Sequence, residues 1–293
     1  MVRLFYGFIL FLPLEGSGKK VIGHLVNPAI QKKVQEIYMS ESIAAIKDKL
    51  KHCTDDELLS FVETYGSDTR SGVAALCAQA CRKMADLEKE YARLEEISRF
   101  EKEYAGYGYI CGIDEVGRGP LAGPVVAGAV ILPKNCKIKY INDSKKLSAK
   151  MREELYDEIM DKAVAVGIGY ASEKRIDEIN ILNATYEAMR EALDKLSVTP
   201  DILLNDAVTI PKVSIKQVPI IKGDAKSISI GAASIVAKVT RDRLMEELAL
   251  QYPQYDFASN KGYGSAKHIE ALKTYGPCKI HRKTFIKHFC DTE

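Results

Sequence analysis

The alternation of short apolar runs with amphipathic stretches after Tyr109 constrains the fold more than any other feature of this sequence. Residues 109–114 and 125–132 are apolar and rich in β-branched side chains, and a segment rich in glycine and proline joins them. Such runs are typical of buried strands. Three more strand-like runs, at 163–171, 201–206 and 213–221, alternate with helical patterns at 148–159, 179–196 and 225–250. This order predicts an α/β fold, with layers of helices on a sheet.

The segment before the predicted sheet has a different character. Residues 39–104 have helical patterns and no cluster of side chains suited to catalysis, so they predict a helical accessory domain. Gly106 and Gly108 mark the break to the next domain, which we assign to 105–293.

The first residues, 1–38, are interpreted as an extension that lies upstream of the natural start. The apolar run 4–12 is too short to span a membrane, and no small-residue cleavage site follows it, which argues against a signal peptide. Met39 is followed by a plausible helix cap, Ser40 or Ser42, and by an amphipathic pattern. We therefore favour Met39 as the first residue of the natural protein.

Charge and cysteine content narrow the class of protein. The formal net charge is only +2, so the molecule is not a uniformly basic nucleic-acid coat. Residues 261–288, the basic tail, contain seven lysines and arginines against one acid, a charge of +6, and three histidines. This tail fits a polyanionic partner, and it fits a lysine-rich solvated surface equally well.

The 7 cysteines are scattered without paired spacing, which indicates reduced thiols in a cytoplasmic protein.

Four acidic residues stand at predicted element ends. Asp114 and Glu115 follow the first strand, Asp206 follows the run 202–205, and Asp224 precedes the long helix. Sites in α/β sheets gather at strand ends. Adjacent strand residues point to opposite faces, so Asp114 and Glu115 can share one metal only if the strand bends or ends there.

The physical case for metal ions at these acids is charge balance. Four carboxylates in one crevice repel each other, and two Mg²⁺ ions about 4 Å apart would neutralise them and clamp a phosphodiester. The donors are carboxylates rather than clustered His or Cys, which favours magnesium over zinc. Structural interpretations stay open: Asp224 as a helix N-cap, Asp206 as a loop acid, and a phosphate-binding turn without catalysis beside Asp114.

Several long motifs resemble those of ribonuclease HII, the bacterial type 2 ribonuclease H, over most of 105–290. They are GIDEVGRGPLAGPVVAGAVIL at 112–132, INDSKKLS at 141–148, KGDAKSISIGAASIVAKVTRDR at 222–243, NKGYGSAKHIEAL at 260–272 and HRKTF at 281–285. The helical segment 39–104 resembles the N-terminal extension of some family members. The resemblance implies an RNase H-like mixed sheet flanked by helices, with a helical C-terminal part.

The resemblance also implies an activity and its site. It implies an endonuclease that cleaves RNA in RNA–DNA hybrids and nicks at single ribonucleotides in duplex DNA, leaving 3′-hydroxyl and 5′-phosphate ends. We expect the protein to be a monomer. The site residues that match the family pattern are the carboxylates Asp114, Glu115, Asp206 and Asp224, for two Mg²⁺ or Mn²⁺ ions; the turn Gly117, Arg118 and Gly119, for the 2′-hydroxyl and the adjoining phosphate; and Tyr263, for the junction.

Recognition of a 2′-hydroxyl by backbone groups is chemically sensible, because the hydroxyl both donates and accepts hydrogen bonds and glycine lets a backbone approach closely. The structural interpretations are a tight hairpin at Gly117 and Gly119 and a packing role for Tyr263. Lys145 and Lys146 are candidates for phosphate contacts, although lysines near a helix start usually face solvent.

One departure from the family pattern concerns the residue after the third acid. Family members usually have glycine there, whereas this chain has Ala207, which adds a methyl group beside Asp206.

Two alternatives to the activity implied by the resemblance are a ribonuclease HIII-type enzyme, which prefers long hybrids, and a non-catalytic nucleic-acid-binding protein. The helical character of 39–104 argues against the first, and the four acids argue against the second.

Overall fold

The computed structural model describes residues 41–289, so the predictions for 1–38 and for Met39 lie outside the described part. The chain divides into two compact units, one that ends at Ala85 and one that begins at Asp86. The predicted domain boundary near Gly106 remains a prediction. No helix within 41–289 is both long enough and apolar enough to cross a membrane.

The first unit is helical. It contains α1 (Ile43–His52), α2 (Leu58–Tyr65) and the start of α3 (Ser71–Ile97). Ser42 caps α1, because its hydroxyl accepts a hydrogen bond from the backbone N–H of Ala45 at 3.2 Å. The apolar faces of the three helices supply fully buried side chains, among them those of Ile46, Leu58 and Val73.

The second unit contains the sheet and the helices that cover it. In chain order its elements after α3 are α4 (Arg99–Glu103), β1 (Ile110–Val116), β2 (Val125–Ile131), α5 (Ala149–Lys162), β3 (Ala165–Ala171), α6 (Glu173–Asp194), β4 (Ile202–Asp206), β5 (Lys216–Ile220), α7 (Ile228–Gln251), α8 (Phe257–Asn260), α9 (Ala266–Tyr275) and α10 (Lys283–Ile286). Short 3-10 turns lie at Ser144–Lys146, Gly223–Ala225 and Pro253–Tyr255.

The five strands form one mixed sheet in the order β3-β2-β1-β4-β5. β1 pairs antiparallel with β2 and parallel with β4, which pairs parallel with β5. The α/β fold, the mixed sheet and the helical C-terminal part predicted from the sequence are confirmed.

Helices cover both faces of this sheet, and the alternation of side chains along β2 shows how. Val125, Ala127 and Ala129 share a buried cluster with residues of α6. Val130, from the opposite face, shares a cluster with residues of α5 and α7. Both faces of β2 are therefore dry, which explains why its sequence is continuously apolar.

The sheet and α7 approach each other unusually closely at Gly112. A Cβ atom on Gly112 would lie 2.1 Å from the carbonyl carbon of Ser229. Only glycine allows this approach, which brings the start of α7 against the middle of β1. The same close approach packs β1, which contains Asp114, against the start of α7, which follows Asp224.

Two helix starts differ from the sequence prediction. α6 begins at Glu173, capped by Ser172, and its pattern is interrupted at Asn180, which has a non-helical backbone with φ of 68°. The periodicity from 179 onward therefore represents only the second part of α6. α7 begins at Ile228 and is capped by Ser227, so Asp224 is not its N-cap. Asp224 lies instead in the 3-10 turn before the helix, which leaves its side chain available for another role.

Candidate active site

The Asp114–Glu115 pair lies where β1 loses one of its two neighbours. Pairing of β1 with β4 stops at Ile113, whereas pairing with β2 continues through Val116. β1 therefore does not end at the acid pair, but its hydrogen bonding to β4 does. Asp114 is only 6% exposed, and its Oδ1 accepts a hydrogen bond from the N–H of Glu115 at 2.8 Å.

The other two acids are linked to each other through one backbone group. Asp206 is the last residue of β4, and its Oδ1 accepts a hydrogen bond from the N–H of Gly223 at 2.7 Å. Gly223 is the residue before Asp224, so this bond fixes the turn that carries Asp224 to the end of β4. The interpretation of Asp206 as an acid that ends a strand without a catalytic role stays open, and the hydrogen bond that it accepts from Gly223 shows what such an acid would support.

The residue after Asp206 has a strained backbone. Ala207 has φ of 55°, in the left-handed region that favours glycine. The methyl group is therefore not the main difference from the family pattern, because the backbone conformation itself explains a glycine preference. We expect the alanine to destabilise this turn by about 1 kcal/mol.

The acids influence one another electrostatically. Burial raises the pKa of Asp114 well above its ordinary value, and the charges of Glu115 and Asp206 raise it further. Burial also raises the pKa of Glu115, against the opposing effect of Arg118, whose Nη1 lies 3.3 Å from Glu115 Oε1. The pKa of Asp224 is raised first by burial and then by the charges of Asp143 and Asp206. Each shift indicates a carboxylate that lacks sufficient positive charge nearby.

This donor set fits hard divalent cations. The oxygens are carboxylates whose mutual repulsion a bound cation would replace by attraction. Within 41–289, no set of three or more His, Cys, Asp or Glu side chains is gathered closely enough to hold a metal ion by itself. The acids thus share one electrostatic environment without forming a closed cage.

Sequence reasoning missed several polar neighbours of the acids. Ser234, on α7, forms a hydrogen bond with Asp114 that opposes the rise of its pKa. The hydroxyl of Ser234 also forms a hydrogen bond at 3.0 Å with that of Ser144, in the 3-10 turn capped by Asp143. Both serines lie in motifs that resemble the family pattern, which marks these segments as candidates. The sequence of a helix rich in small residues does not show, however, which side chain its serine contacts.

The turn after the acid pair is longer than a tight hairpin. The eight residues 117–124 connect β1 to β2. Gly117 has φ of 88°, and a Cβ atom there would lie 2.2 Å from Nε of Arg241. Glycine is therefore required at 117 both by the backbone and by the packing. Arg118 and Gly119 at the tip are exposed.

Tyr263 lies beside this turn. A Cβ atom on Gly119 would lie 3.8 Å from Cε1 of Tyr263, and the N–H of Leu121 donates to the carbonyl of Gly262 at 2.8 Å. Tyr263 is 42% exposed, so its ring is only partly used in packing. The structure thus brings together the turn and the tyrosine, which are more than a hundred residues apart in sequence.

The two lysines differ in their relation to the acids. Lys145 and Lys146 are both exposed in the 3-10 turn Ser144–Lys146. The charge of Lys145 lowers the pKa of both Glu115 and Asp224, so Lys145 lies within electrostatic reach of the acids. Nothing in the structure relates Lys146 to them.

Only part of the basic tail is exposed to solvent. Arg282 is fully buried, and His268 and His281 are buried with their Nε2 atoms 3.0 Å apart. Burial lowers the pKa of His281 to about 4 and also lowers that of His268, so both are neutral at neutral pH. The tail therefore supports the turn from inside as well as offering exposed lysines.

Known proteins resemble this chain over most of its length. Residues 111–290 match the family model for ribonuclease HII, and 42–105 match the model for the ribonuclease HII N-terminal domain. The chain is 62% identical over 250 residues to ribonuclease HII of Lachnoclostridium phytofermentans, covering 85% of this chain and 98% of that relative. It is 49% identical over 250 residues to ribonuclease HII of Clostridioides difficile, with the same coverage. Ribonuclease H2 from Pyrococcus horikoshii OT3 has a similar structure, with a TM-score of 0.51, 31% identity, and coverage of 62% of this chain and 99% of that one.

Proposed function

The chain belongs to the ribonuclease HII family, whose members are hydrolases that cleave RNA in RNA–DNA hybrids, and on this premise we propose a more specific activity. The protein nicks duplex DNA at single embedded ribonucleotides as well as cutting continuous hybrids. It uses two divalent ions, Mg²⁺ or Mn²⁺, and leaves 3′-hydroxyl and 5′-phosphate ends. Monomeric action and a cytoplasmic location remain predictions.

The observation that carries this proposal is the coupling of acids from separate segments. Asp114, Glu115 and Asp224 all have raised pKa values, and the charge of Asp206 contributes to each shift. Such shared perturbation at a strand edge is typical of functional sites. These four carboxylates would hold the ions, which when bound would activate the attacking water and stabilise the leaving oxygen.

The chain's own groups then have distinct tasks. Hydrogen bonds from the Glu115 N–H and with Ser234 orient the Asp114 carboxylate, and the Gly223 N–H orients Asp206. Arg118 favours the ionised form of Glu115, because its guanidinium opposes the effect of burial on the Glu115 pKa. Preorganised donors of this kind spare the site from reorganising during reaction.

Substrate selection is assigned to the turn and the tyrosine. The exposed backbone at Arg118 and Gly119 can approach a ribose and its phosphate, and the partly exposed ring of Tyr263 lies next to Gly119. The 2′-hydroxyl distinguishes RNA from DNA at such a contact. Lys145 is a candidate for a phosphate contact near the acids, and Lys146 is a weaker one.

Two other functions are less well supported. The family match at 42–105 favours the HII type over a ribonuclease HIII-type enzyme. A non-catalytic binding protein would gain nothing from placing four carboxylates against a polyanion, because they repel it. Such a protein would bind with a steep salt dependence and would not cleave.

The test compares three labelled duplexes of one sequence: all-DNA, DNA with a single ribonucleotide, and a continuous RNA–DNA hybrid. We expect cleavage of the last two with Mg²⁺ or Mn²⁺, and an upstream fragment that a DNA polymerase can extend. Asp114→Asn should remove cleavage, whereas the exposed-acid control Asp161→Asn should not. Absence of nicking at the single ribonucleotide with either ion would refute the proposal.

A further inference from the structure

Two buried arginines lie directly beneath the turn that follows the acid pair. Arg241, on α7, and Arg282, in the basic tail, are both 0% exposed. Neither forms an ion pair with a carboxylate within 41–289, and every hydrogen bond they donate ends on a backbone carbonyl. Fully buried charges are normally paired with an opposite charge, so this arrangement calls for an explanation.

The carbonyls that accept these bonds belong to the turn and to its neighbour. Arg282 donates to the carbonyls of Gly117 at 2.6 Å, of Arg118 at 2.9 Å and of Gly123 at 2.8 Å. Arg241 donates to the carbonyls of Ala122, Pro124 and Lys261. Lys261 is two residues before Tyr263, so the two guanidinium groups tie the turn to the segment that carries the tyrosine.

The direction of these bonds determines where the N–H groups of the turn point. In a trans peptide the carbonyl of one residue and the N–H of the next point in opposite directions, and the described chain has no cis peptide. Because the carbonyls of Gly117 and Arg118 point inward to Arg282, the N–H groups of Arg118 and Gly119 point outward. Both residues are exposed, and neither N–H donates to another protein group in the described part of the chain.

The charge beneath the turn reinforces this geometry. Burial and the neighbouring Arg241 lower the pKa of Arg282 to about 9, which still leaves it mostly charged at neutral pH. Two outward N–H donors above two buried positive charges favour the binding of an anion at the surface of the turn. A phosphate group of the substrate backbone has both properties that this site requires, since its oxygens accept hydrogen bonds and it carries negative charge.

We propose that Arg241 and Arg282 are positioning residues for substrate recognition: they hold the turn carbonyls inward, present two N–H groups to the nucleic-acid backbone, and supply charge that a substrate phosphate neutralises. The inference rests on the proposed function, because it names how that substrate is selected. It also gives the HRKTF segment a role that the acid site does not provide.

The first experiment measures binding with metal chelated, so that no cleavage occurs, to a duplex with one ribonucleotide and to the all-DNA duplex. Arg282→Gln should reduce the preference for the ribonucleotide about tenfold and lower the slope of log Kd against log salt by about one. Arg282→Lys should keep the slope, because the charge remains, but lose most of the preference, because lysine lacks the planar fork. A purely structural arginine would not separate these two readouts.

Arg243→Gln is the matched control, since Arg243 lies on α7 near Arg241 but is exposed and paired with Glu153. It should keep the wild-type preference. Circular dichroism and thermal melting establish that each variant is folded. A folded Arg282→Gln protein with wild-type preference and salt slope would overturn the inference.

A second experiment needs no variant and decides the matter if the Arg282 variants do not fold. Amide hydrogen exchange of the wild-type protein should be fast at Arg118 and Gly119, and about tenfold slower on the ribonucleotide duplex than on the all-DNA duplex. Equal exchange on the two duplexes would overturn the inference. Both experiments are made without metal, so their failure is distinguishable from a failure of the cleavage assay that tests the proposed function.

Discussion

Asp114→Asn should make the metal-free protein more stable while it removes activity. The wild-type carboxylate is 6% exposed, and its pKa in the folded protein is raised above the unfolded value by burial, Glu115 and Asp206. An acid with a raised folded pKa is neutral in both states at low pH and therefore costs nothing there. As pH rises through the window between the unfolded and folded pKa values, the carboxyl ionises in the unfolded chain but stays protonated in the folded protein, so the stability of the fold falls progressively. Asparagine has the same shape and no charge.

The size of this effect follows from the contacts of Asp114. Burying an ionised carboxylate costs several kcal/mol after relaxation. The hydrogen bond from the Glu115 N–H at 2.8 Å, which asparagine can also accept, and the bond with Ser234 offset part of that cost. A net gain of about 1–3 kcal/mol on substitution is left. For a unit of this size, about 1 kcal/mol shifts Tm by roughly 2–4 °C, so Tm should rise by about 2–12 °C.

The assay is thermal unfolding by circular dichroism from about pH 4 to pH 8 with metal chelated. The difference between Asp114→Asn and wild type should be near zero at the acid end and largest at the alkaline end. Mg²⁺ or Mn²⁺ should raise the Tm of the wild type more than that of the variant, because the ion needs the charge. Asp161→Asn, an exposed acid, serves as the control and should show no such dependence. An Asp114→Asn protein that is less stable than wild type at alkaline pH would refute the reasoning.

Three further predictions concern the packing and the recognition segments. Gly112→Ala should lower stability by about 1–3 kcal/mol or more in denaturant unfolding, because its Cβ would lie 2.1 Å from backbone, whereas Gly106→Ala, with nothing within 4 Å, should change little. Tyr263→Phe should slow nicking at a single ribonucleotide about three- to tenfold, the worth of one hydrogen bond, and slow hybrid cleavage less; equal rates would assign the residue to packing. Glu101→Ala should lower stability by about 1–2 kcal/mol, because Glu101 Oε1 accepts from the Ser227 hydroxyl at 2.5 Å at the start of α7. Glu101→Gln should keep most of that stability, and a loss as large as that of the alanine variant would assign the effect to charge.

Local pattern was sufficient for the elements of the sheet. Strand runs and helix periodicity reflect burial along each segment, and they located all five strands within a few residues. The start of α6 was misplaced because Asn180 interrupts the helix with a backbone conformation that no periodicity reveals. Asp224 was open to interpretation as a helix cap because a capping acid and a free acid look the same when only the sequence spacing is known.

The candidate acids and the turn could be named from the sequence because they occupy chain breaks and long motifs, where residue type alone restricts the chemistry. Their relations could not be obtained that way. The hydrogen bond from Gly223 to Asp206 joins residues 17 apart, and the bond from Arg282 to Gly117 joins residues 165 apart. Contacts of this kind depend on how strands and helices are stacked, not on local preference.

The sequence by itself therefore determined the layers of the fold, the four acids, the glycine-rich turn and the family to which they point. Only the tertiary structure decided that the acids perturb one another, that Asp224 is not a helix cap, and that two buried arginines aim the turn outward. The physical reason is that element type follows from the burial of each segment, whereas charge coupling and hydrogen bonding follow from distances between segments far apart in the chain.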